Sequence, residues 1–491
     1  MVGVIAGARG RAAVTFAPVS TQRIHHEGNP DGPTLLLVQG HPDTPEVWDP
    51  VVELLSDRFR IIRADAGEVA AALDAVGGDA VHVVAQGRGS GAVWQYLTRR
   101  GASRRVASFT SVPESAPSAR LGRFADGLGR LARRATAAGC DPVDIPVQMV
   151  IAPGDGYARR RFSEDVTGRT PRLWRRDVKA EHAAARVVAR SVTQLVDHLD
   201  GAPAARELLR AEVGRPRAAF GDTLVAVTGA ASGIGRETAL AFAREGADVA
   251  ISDVDTAGLE ETARLVAAEG AQAFTYTVDV ADADAVESFA DQLCAEHGVP
   301  DIVVNNAGVG HAGFFLDTPA EEYDRVLDIN FGGVVNGCRS FGKRLRDHGV
   351  GGHIVNVASM ASYTPVNVMN AYCTSKAAVF MFSDCLRAEL DSHGIGLTTI
   401  CPGIIGTNIV DTTRFSLPEE RSYDTETIRR RARRAFSVRR VGPDKVAKAI
   451  LAAVKSNKPV RPVTTEAYLV YGAAHAFPQA MRSAARGGNI M

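Results

Sequence analysis

Two side chains in the second half of the chain have the types and spacing of a proton-transfer pair. Tyr372 and Lys376 are four residues apart in a segment that reads as a helix, so both side chains should lie on one face. A cationic ammonium beside a phenol favours the phenolate, so this pairing predicts a lowered pKa for Tyr372. Such a tyrosine can act as a general acid or base. On their own, the two residues would equally suit a solvated pair on a helix surface.

A glycine-rich turn supplies a second chemical signal. Residues Thr228–Gly235 follow the apolar run Thr223–Val227 and precede a helical segment. Glycines let the backbone turn sharply and approach a pyrophosphate, while the helix start offers free N–H groups and the positive end of the dipole. Asp253 ends the next apolar strand, eighteen residues after Gly235, near the distance at which an acidic side chain accepts hydrogen bonds from an adenosine ribose. Strand, turn, helix and carboxylate in this order predict a dinucleotide site.

Length and composition limit the class of protein. A chain of 491 residues is too long for one ordinary core, so two domains are expected. The apolar fraction of 45% and the charged fraction of 23% are those of a soluble globular protein. The formal net charge is zero, which provides no global field to attract nucleic acid or an anionic membrane.

Cysteine use and hydropathy point to a cytoplasmic location. The six cysteines are scattered and form no metal-binding pattern, so we expect free thiols in a reducing compartment and no metal site. The N-terminus lacks the order of charges and apolar core that a signal peptide has. No unbroken apolar stretch reaches the roughly 18 residues of a membrane span, so none is expected.

Strand-like and helix-like segments alternate along the first part of the chain. This alternation predicts a parallel sheet that is covered on both faces. The predicted strands are 33–38, 59–65, 80–85, 106–110 and 147–151. Breaker clusters at Asp200–Pro203 and Gly214–Arg217 place a domain boundary near residues 201–220. We therefore predict one domain over residues 1–215 and a second over residues 216–491.

The first domain resembles the α/β-hydrolase fold, and its epoxide-hydrolase branch in particular. The residues that carry the resemblance are Leu37–Thr44, Val47–Pro50 and Val81–Ser90. In that family a strained elbow carries the nucleophile. The matching position here is Gly87, which has no side chain, and Ser90 lies three residues later on the following helix. The family's acid and base positions match Asp155 and His182, but these two without a nucleophile cannot form a covalent intermediate.

The cap of the hydrolase-like domain is expected to be reduced. Hydrolases of this branch insert a helical cap before the acid-bearing strand, whereas here only about 35 residues, 112–146, join the corresponding strands. We therefore predict a degenerate α/β-hydrolase-like domain that is not catalytic. The run Gly87–Gly91 could alternatively serve as an anion-binding loop.

Independent motifs in the second domain resemble the short-chain dehydrogenase/reductase family. The residues that carry the resemblance are the TGxxxGIG turn Thr228–Gly235, Asp279–Val280, Asn305–Gly308, Asn330, Ser359, the YxxxK pair Tyr372 and Lys376, and Pro402–Thr407. The resemblance covers nearly all of residues 216–491. It implies a Rossmann domain with a doubly wound parallel sheet, so that the whole chain is of the α/β class. It also implies an enzyme that interconverts an alcohol and a carbonyl by hydride transfer with a nicotinamide cofactor.

The resemblance assigns a role to each matched residue. Tyr372 exchanges the hydroxyl proton, Ser359 hydrogen-bonds the substrate oxygen, Asn330 holds a relay water, and Lys376 assists both proton transfer and ribose binding. The residues expected to contact the cofactor are Gly229, Ser232, Gly233, Ile234, Gly235, Asp253, Asp279, Val280, Asn306, Ala307, Gly308, Tyr372, Lys376, Pro402, Gly403, Ile405 and Thr407. Among them, Asp279 and Val280 are expected to flank the adenine.

The acidic residue after the second strand favours NAD over NADP as the cofactor. The Asp253 carboxylate would accept from a free ribose 2′-hydroxyl and repel a 2′-phosphate. Arg236 is close to it in the sequence and could soften the preference.

Residues 407–445 are long for a loop and match the family's substrate lid. Their arginines, in 429–434 and 439–440, suit a solvated helix face or a contact with an anionic head group. We expect a small-molecule or lipid-like hydroxy or keto substrate and, from family habit, a homo-oligomer that is a dimer or tetramer. Two alternatives are a bifunctional hydrolase and oxidoreductase, and a nucleotide-binding scaffold or sensor without turnover.

Overall fold

Two seven-stranded sheets, each covered by helices, organise the protein in a computed structural model. The structure describes residues 26–99, 101–112, 143–151, 170–406, 413–416 and 441–487. Asp155, Thr407 and the arginines of 429–434 and 439–440 therefore lie outside the described residues. The α/β class predicted from the sequence is confirmed, since nearly all strand pairs within the two large sheets are parallel.

The first sheet has the strand order β1-β3-β2-β4-β5-β6-β7, and only β1 runs antiparallel to its neighbour. Its strands are β1 His26–Gly28, β2 Thr34–Gln39, β3 Arg60–Asp65, β4 Val81–Gln86, β5 Val106–Val112, β6 Val147–Ile151 and β7 Leu173–Asp177. The helices around it are α1 Asp49–Leu55, α2 Val69–Val76, α3 Arg88–Leu97 and α4 Ala184–Leu199. Leu35 and Leu37 belong to one core cluster, whereas Leu36 and Val38 belong to another. Both faces of β2 are therefore buried, as expected for a parallel sheet between helix layers.

The second sheet is entirely parallel, in the order β10-β9-β8-β11-β13-β14-β16, and a two-stranded sheet of β12 and β15 lies apart from it. The strands are β8 Leu224–Thr228, β9 Asp248–Asp253, β10 Ala273–Thr277, β11 Ile302–Asn305, β12 His311–Gly313, β13 Gly352–Val357, β14 Ile395–Cys401, β15 Arg414–Ser416 and β16 Val460–Pro462. The strand order reverses between β8 and β11, which creates a crevice at their carboxyl ends. The Rossmann fold predicted for this half is thereby confirmed.

Helices cover both faces of the second sheet and connect it to the first. They are α5 Arg206–Ala211, α6 Gly233–Arg244, α7 Thr256–Ala268, α8 Ala283–His297, α9 Ala320–Leu327, α10 Gly333–His348, α11 Asn370–Asp391, α12 Pro443–Ser456, α13 Thr465–Ala476 and α14 Pro478–Gly487. The helix α13 ends before Phe477, because Pro478 cannot continue it, and α14 begins at Pro478.

Short helix α5 carries ion pairs to both halves of the chain. Arg206 donates to Asp248 at 2.9 Å, and Arg210 donates to both oxygens of Asp301 at 2.9 and 2.6 Å. Glu207 accepts from Arg176 of β7 at 3.0 Å and lies 2.5 Å from the imidazole of His348. Burial opposes ionisation of Glu207, but the His348 hydrogen bond and the neighbouring arginines outweigh it and lower the pKa of this carboxyl. The connection between the two halves is therefore a partly buried ionic cluster.

The two sheets contact each other at the carboxyl end of one and the amino end of the other. The segment after β7 contacts loops that precede β13 and β14, and the Lys179 amide donates to the Gly349 carbonyl at 3.0 Å. A Cβ on Gly349 would lie 2.2 Å from the Cβ of Ala183, so the backbones approach closely there. The carboxyl end of the first sheet thus packs, at β7, against the amino end of the second sheet.

Candidate active site

The glycine turn has the tight shape predicted for a phosphate site. Gly229 and Gly233 adopt left-handed backbone angles, with φ values of +67° and +55°. A Cβ on Gly235 would lie 2.1 Å from the Gly229 carbonyl oxygen, so any side chain would force this turn open. The Ser232 side chain makes no capping bond to α6. The helix start can therefore offer its N–H groups to an anion, which fits the pyrophosphate of a dinucleotide.

The turn after β11 is fastened to the glycine turn. The Asn306 side-chain amide donates to the carbonyls of Thr228 and Gly229 at 3.0 and 3.1 Å. The Thr228 hydroxyl in turn accepts from the backbone N–H groups of Asn306 and Ala307 at 3.0 and 3.1 Å. These bonds hold the two walls of the crevice at a fixed separation. The role of the Thr228 hydroxyl as a brace was not part of the sequence prediction.

Asp253 and the residues of the next strand lie at the same edge of the sheet. The Asp253 carboxylate accepts from the Ala231 amide at 3.0 Å, which places it beside the glycine turn. Asp279 accepts from the Ala281 amide at 3.0 Å and so shapes the turn after β10. Val280 is buried, and its side chain would lie 2.7 Å from a Cβ on Gly333.

The Ser359 side chain lies next to the Tyr372 phenol and acts on its pKa as a hydrogen-bond partner. Ser359 lies two residues after the end of β13 and caps a 3-10 turn, accepting from the Ala361 amide at 3.1 Å. Burial of the phenol raises the pKa of Tyr372, and the Ser359 hydrogen bond only partly opposes this. The sequence predicted a lowered pKa, which is wrong for the protein without ligand. The reason is the burial of the phenol, and the Lys376 ammonium instead donates to the Val357 carbonyl.

Lys376 and Asn330 lie together beneath the crevice. The Lys376 Nζ donates to the Val357 carbonyl at 2.9 Å, and burial lowers the pKa of this lysine to about 8. Asn330 is fully buried, accepts from the Val309 amide at 2.8 Å and donates to Ser375 Oγ at 3.1 Å. A Cβ on Gly308 would lie 3.0 Å from Asn330 Oδ1 and 3.4 Å from Lys376 Nζ. The backbone at Gly308 therefore packs closely on the side chains of Asn330 and Lys376.

The segment after β14 closes the other side of the crevice. The Pro402 carbonyl accepts from the Met360 amide at 2.9 Å, which links it to the turn that Ser359 caps. A Cβ on Gly403 would lie 2.1 Å from the Thr464 hydroxyl, and Ile405 is buried in the core. The structure thus brings every described candidate residue to one edge of the second sheet.

Two backbone features of this site were missed from the sequence. Residues Asp328–Gly332, which include Asn330, form a π-helical turn between α9 and α10. Val368 has a φ of +60°, which is unusual for a β-branched residue, and its carbonyl accepts from the Gly313 amide at 2.7 Å. The pair Gly332 and Gly333 was a weak signal for the first feature, and nothing in the sequence signalled the second.

The first half of the chain has a glycine at the position where the sequence comparison expected a nucleophile. Gly87 sits between β4 and α3 with φ +52° and ψ −120°, a strained strand-to-helix turn. The buried Ser90 hydroxyl donates to the Ala85 carbonyl at 2.6 Å. His182 packs edge-on against His393 of the second half, with ring centroids 5.0 Å apart. His182 is therefore part of the contact between the two halves.

Within the described ranges, no cluster of histidine, cysteine, aspartate or glutamate side chains has the arrangement of a metal site. Among the helices that the structure describes, none is long and apolar enough to cross a membrane.

Similarity to known proteins agrees with this geometry. Residues 223–416 match the family model described as short chain dehydrogenase. The chain is 47% identical to "Probable oxidoreductase EphD" of Mycobacterium tuberculosis over 569 aligned residues, which cover 94% of this chain and 96% of that protein. The chain therefore belongs to the short-chain dehydrogenase/reductase family, whose members are oxidoreductases that bind nicotinamide cofactors.

Two further matches cover part of the chain. D-threitol dehydrogenase of Mycolicibacterium smegmatis is 36% identical over 210 residues, which cover 40% of this chain and 80% of that protein. The crystal structure of a short-chain dehydrogenase/reductase from Burkholderia phymatum in complex with NAD is 27% identical. It has a TM-score of 0.49, and the match covers 54% of this chain and 95% of that chain.

Proposed function

We propose that this enzyme is an NAD-dependent dehydrogenase or reductase in which Tyr372 is the general acid and base. The observation that carries the proposal is the meeting of Ser359, Tyr372 and the buried Lys376 at one edge of the second sheet, where Ser359 acts on Tyr372 as a hydrogen-bond partner. Two neighbouring hydroxyls can bind the oxygen of one alcohol or carbonyl group. A binding module without turnover would have no need for this arrangement.

The crevice fits a dinucleotide. The glycine turn and the start of α6 would hold the pyrophosphate, Asp253 the adenosine ribose, and the residues around Gly308 and Lys376 the nicotinamide end. When bound, the cofactor accepts a hydride from an alcohol or gives one to a carbonyl.

Tyr372 would move the accompanying proton at its hydroxyl oxygen. In the oxidation direction it takes the proton of the substrate alcohol, and in reduction it returns one to the carbonyl oxygen. Ser359 would hold the substrate oxygen in place. Because burial raises the pKa of Tyr372, the phenolate needs positive charge nearby, and the Lys376 ammonium is the buried cation on the same helix face.

Asn330 would connect Lys376 to solvent through a bound water. Its side-chain amide already donates to Val309 and Ser375, so the amide acts as a brace for the π-helical turn. We therefore assign the relay water to the backbone carbonyl of Asn330, because its side-chain oxygen also accepts a hydrogen bond, from the Val309 amide.

The first half is proposed to be a non-catalytic domain of residues 1–215, with the dehydrogenase domain over 216–491. Gly87 offers no nucleophile, Ser90 is engaged with its own strand, and His182 contacts His393. These points disfavour a bifunctional hydrolase.

The substrate class, the oligomeric state and the location of the enzyme are also part of the proposal. We propose a small or lipid-like hydroxy or keto substrate and a homo-oligomer, by analogy with the family. A cytoplasmic location is supported by the free thiols among the described residues, including Cys294, Cys373 and Cys385.

Replacing the tyrosine separates turnover from cofactor binding. Tyr372→Phe should reduce turnover by a factor of about a thousand or more, because the proton has no acid or base within reach. Cofactor binding should persist, so NAD⁺ and NADH should raise the melting temperature of the variant as they do for wild type. Turnover would be followed by nicotinamide absorbance with a panel of secondary alcohols and ketones.

The conservative control is Tyr363→Phe. Tyr363 donates its hydroxyl to the Ala467 carbonyl at 3.1 Å and should leave turnover nearly unchanged. Full turnover in Tyr372→Phe would contradict the assigned role. A wild-type protein whose melting temperature responds to no nicotinamide cofactor would favour the scaffold alternative.

A further inference from the structure

Arg236 lies in the first turn of α6, directly after the glycine turn. Its Nε donates to the Thr262 hydroxyl at 2.9 Å, and its Nη2 donates to the carbonyls of Ala231 and of Gly258, the latter at 3.3 Å. These contacts hold the guanidinium between the glycine turn and helix α7. The side chain therefore links the two elements that flank Asp253 in space.

Asp253 is hydrogen-bonded to the same glycine turn that Arg236 contacts. Its Oδ2 accepts from the Ala231 amide at 3.0 Å, and its Oδ1 accepts from the Asp255 amide at 3.1 Å. Asp255 accepts in turn from the Gly258 amide at 3.0 Å. Because Arg236 binds the carbonyls of both Gly258 and Ala231, the hydrogen bonds form a closed ring through all five residues.

The ring is also tightly packed. A Cβ on Gly258 would lie 2.6 Å from the Cβ of Ala231, so the start of α7 touches the glycine turn directly. Thr262 is fully buried, and its hydroxyl lies 2.9 Å from the Ala230 carbonyl oxygen. The position of the Asp253 carboxylate is consequently coupled to the shape of the phosphate turn.

We propose that Arg236 is a positioning residue for cofactor selection: it closes a hydrogen-bond ring that fixes Asp253, and it does not itself bind the ribose phosphate of NADP. A guanidinium that donates to two backbone carbonyls and a buried hydroxyl is held by these partners. Arg236 therefore reinforces the preference for NAD and does not soften it. The inference rests on the proposed preference for NAD that Asp253 provides.

The test is cofactor affinity measured on the full chain. Dissociation constants for NAD⁺ and NADP⁺ would be determined by calorimetry for wild type, Arg236→Gln, Thr262→Val and Asp253→Ala. Thr262→Val removes one of the contacts that hold the Arg236 guanidinium beside the ring, with little change in shape, so it tests the role of Arg236 even if Arg236→Gln folds poorly. The matched control is Arg244→Gln on the same helix, because Arg244 pairs with the exposed Glu269 at 2.9 Å, away from the ring.

Arg236→Gln should weaken the binding of NAD⁺ by about tenfold, because a charge-assisted contact that preorganises the site is lost. The affinity for NADP⁺ should change less, because an Asp253 carboxylate that is no longer held in place repels the 2′-phosphate less. The preference for NAD⁺ should therefore fall. Thr262→Val should also lower the preference for NAD⁺, measured as the ratio of the dissociation constants for NADP⁺ and NAD⁺. Arg244→Gln should leave this ratio unchanged. With saturating NAD⁺ the kcat of Arg236→Gln should equal that of wild type, while its KM for NAD⁺ rises.

Several outcomes would overturn the inference. An equal loss of affinity for both cofactors would show that Arg236 has a merely structural role. A selective loss of affinity for NADP⁺ would show that Arg236 binds the 2′-phosphate. If neither Arg236→Gln nor Thr262→Val changes the ratio of the dissociation constants for NADP⁺ and NAD⁺, Arg236 has no role in cofactor selection. If wild type prefers NADP⁺, or if Asp253→Ala leaves the ratio unchanged, the proposed function of Asp253 fails instead.

Discussion

Tyr372 and Lys376 share one face of α11, yet their surroundings shift their proton affinities in ways that residue types alone do not reveal. Burial raises the pKa of Tyr372 and lowers that of Lys376 to about 8, so each group is pushed toward its neutral form. The residue types and their spacing were predictable from the sequence. The direction of the tyrosine shift was not, because it depends on tertiary packing around the phenol.

The buried lysine makes stability depend on pH. The folded pKa of Lys376, about 8, is below its ordinary value of 10.5, so the unfolded state binds more protons between these values. The unfolding free energy of wild type should therefore rise as the pH passes from about 8 toward 10.5. Lys376→Met lacks this dependence, so its stability relative to wild type should fall by about 2 kcal/mol between pH 7 and pH 10.

Urea unfolding at the two pH values measures the change. Lys448→Met is the control, because Lys448 is exposed and its pair with Asp444 is on the surface. A constant difference between Lys376→Met and wild type across this range would show that the lysine is not desolvated.

The elements around the site differ in how well the sequence predicts them. The strands β8, β9, β11, β13 and β14 are continuous apolar runs, so their existence and order followed from the sequence. The π-helical turn at Asp328–Gly332 did not, because one extra residue in a turn scarcely changes a helical pattern. The left-handed Val368 depends on its contact with Gly313, which is distant in the sequence.

The glycine turn should tolerate no added atom. Gly235→Ala places a Cβ against the Gly229 carbonyl, so we expect destabilisation by about 2 kcal/mol and loss of the melting-temperature increase with NAD⁺. Gly342→Ala in α10 is the control, since a Cβ there meets nothing within 4 Å. That variant should gain up to about 1 kcal/mol from helix propensity. Thermal unfolding with and without NAD⁺ measures both, and retained NAD⁺ stabilisation in Gly235→Ala would refute the assigned phosphate turn.

Across the whole molecule, the ionic cluster at α5 ties the two sheets together. The side chain of Arg176 is only 4% exposed, so its charge depends on Glu207 and on polar neighbours. The sequence showed a short charged helix near the predicted boundary. It could not show which charges pair, because the partners come from elements far apart in the chain.

Neutralising the shared carboxylate should weaken the connection. Glu207→Gln leaves Arg176 buried without its counter-charge, so we expect a loss of about 3 kcal/mol in the free energy of unfolding. The matched control is Glu269→Gln, whose exposed pair with Arg244 should be worth less than about 1 kcal/mol. Calorimetry would compare the two variants, and equal small losses would show that the cluster adds little to stability.

The contacts of α5 also decide where the chain can be divided. A fragment that starts at residue 216 loses Arg206 and Arg210, although Asp248 and Asp301 of the second half depend on them. Asp301 would then keep its place beside the Leu224 amide without the cation that accompanies it, and burial already raises the pKa of this carboxyl. A fragment intended to work alone as the dehydrogenase should therefore begin before Arg206, even though composition alone would place the cut later.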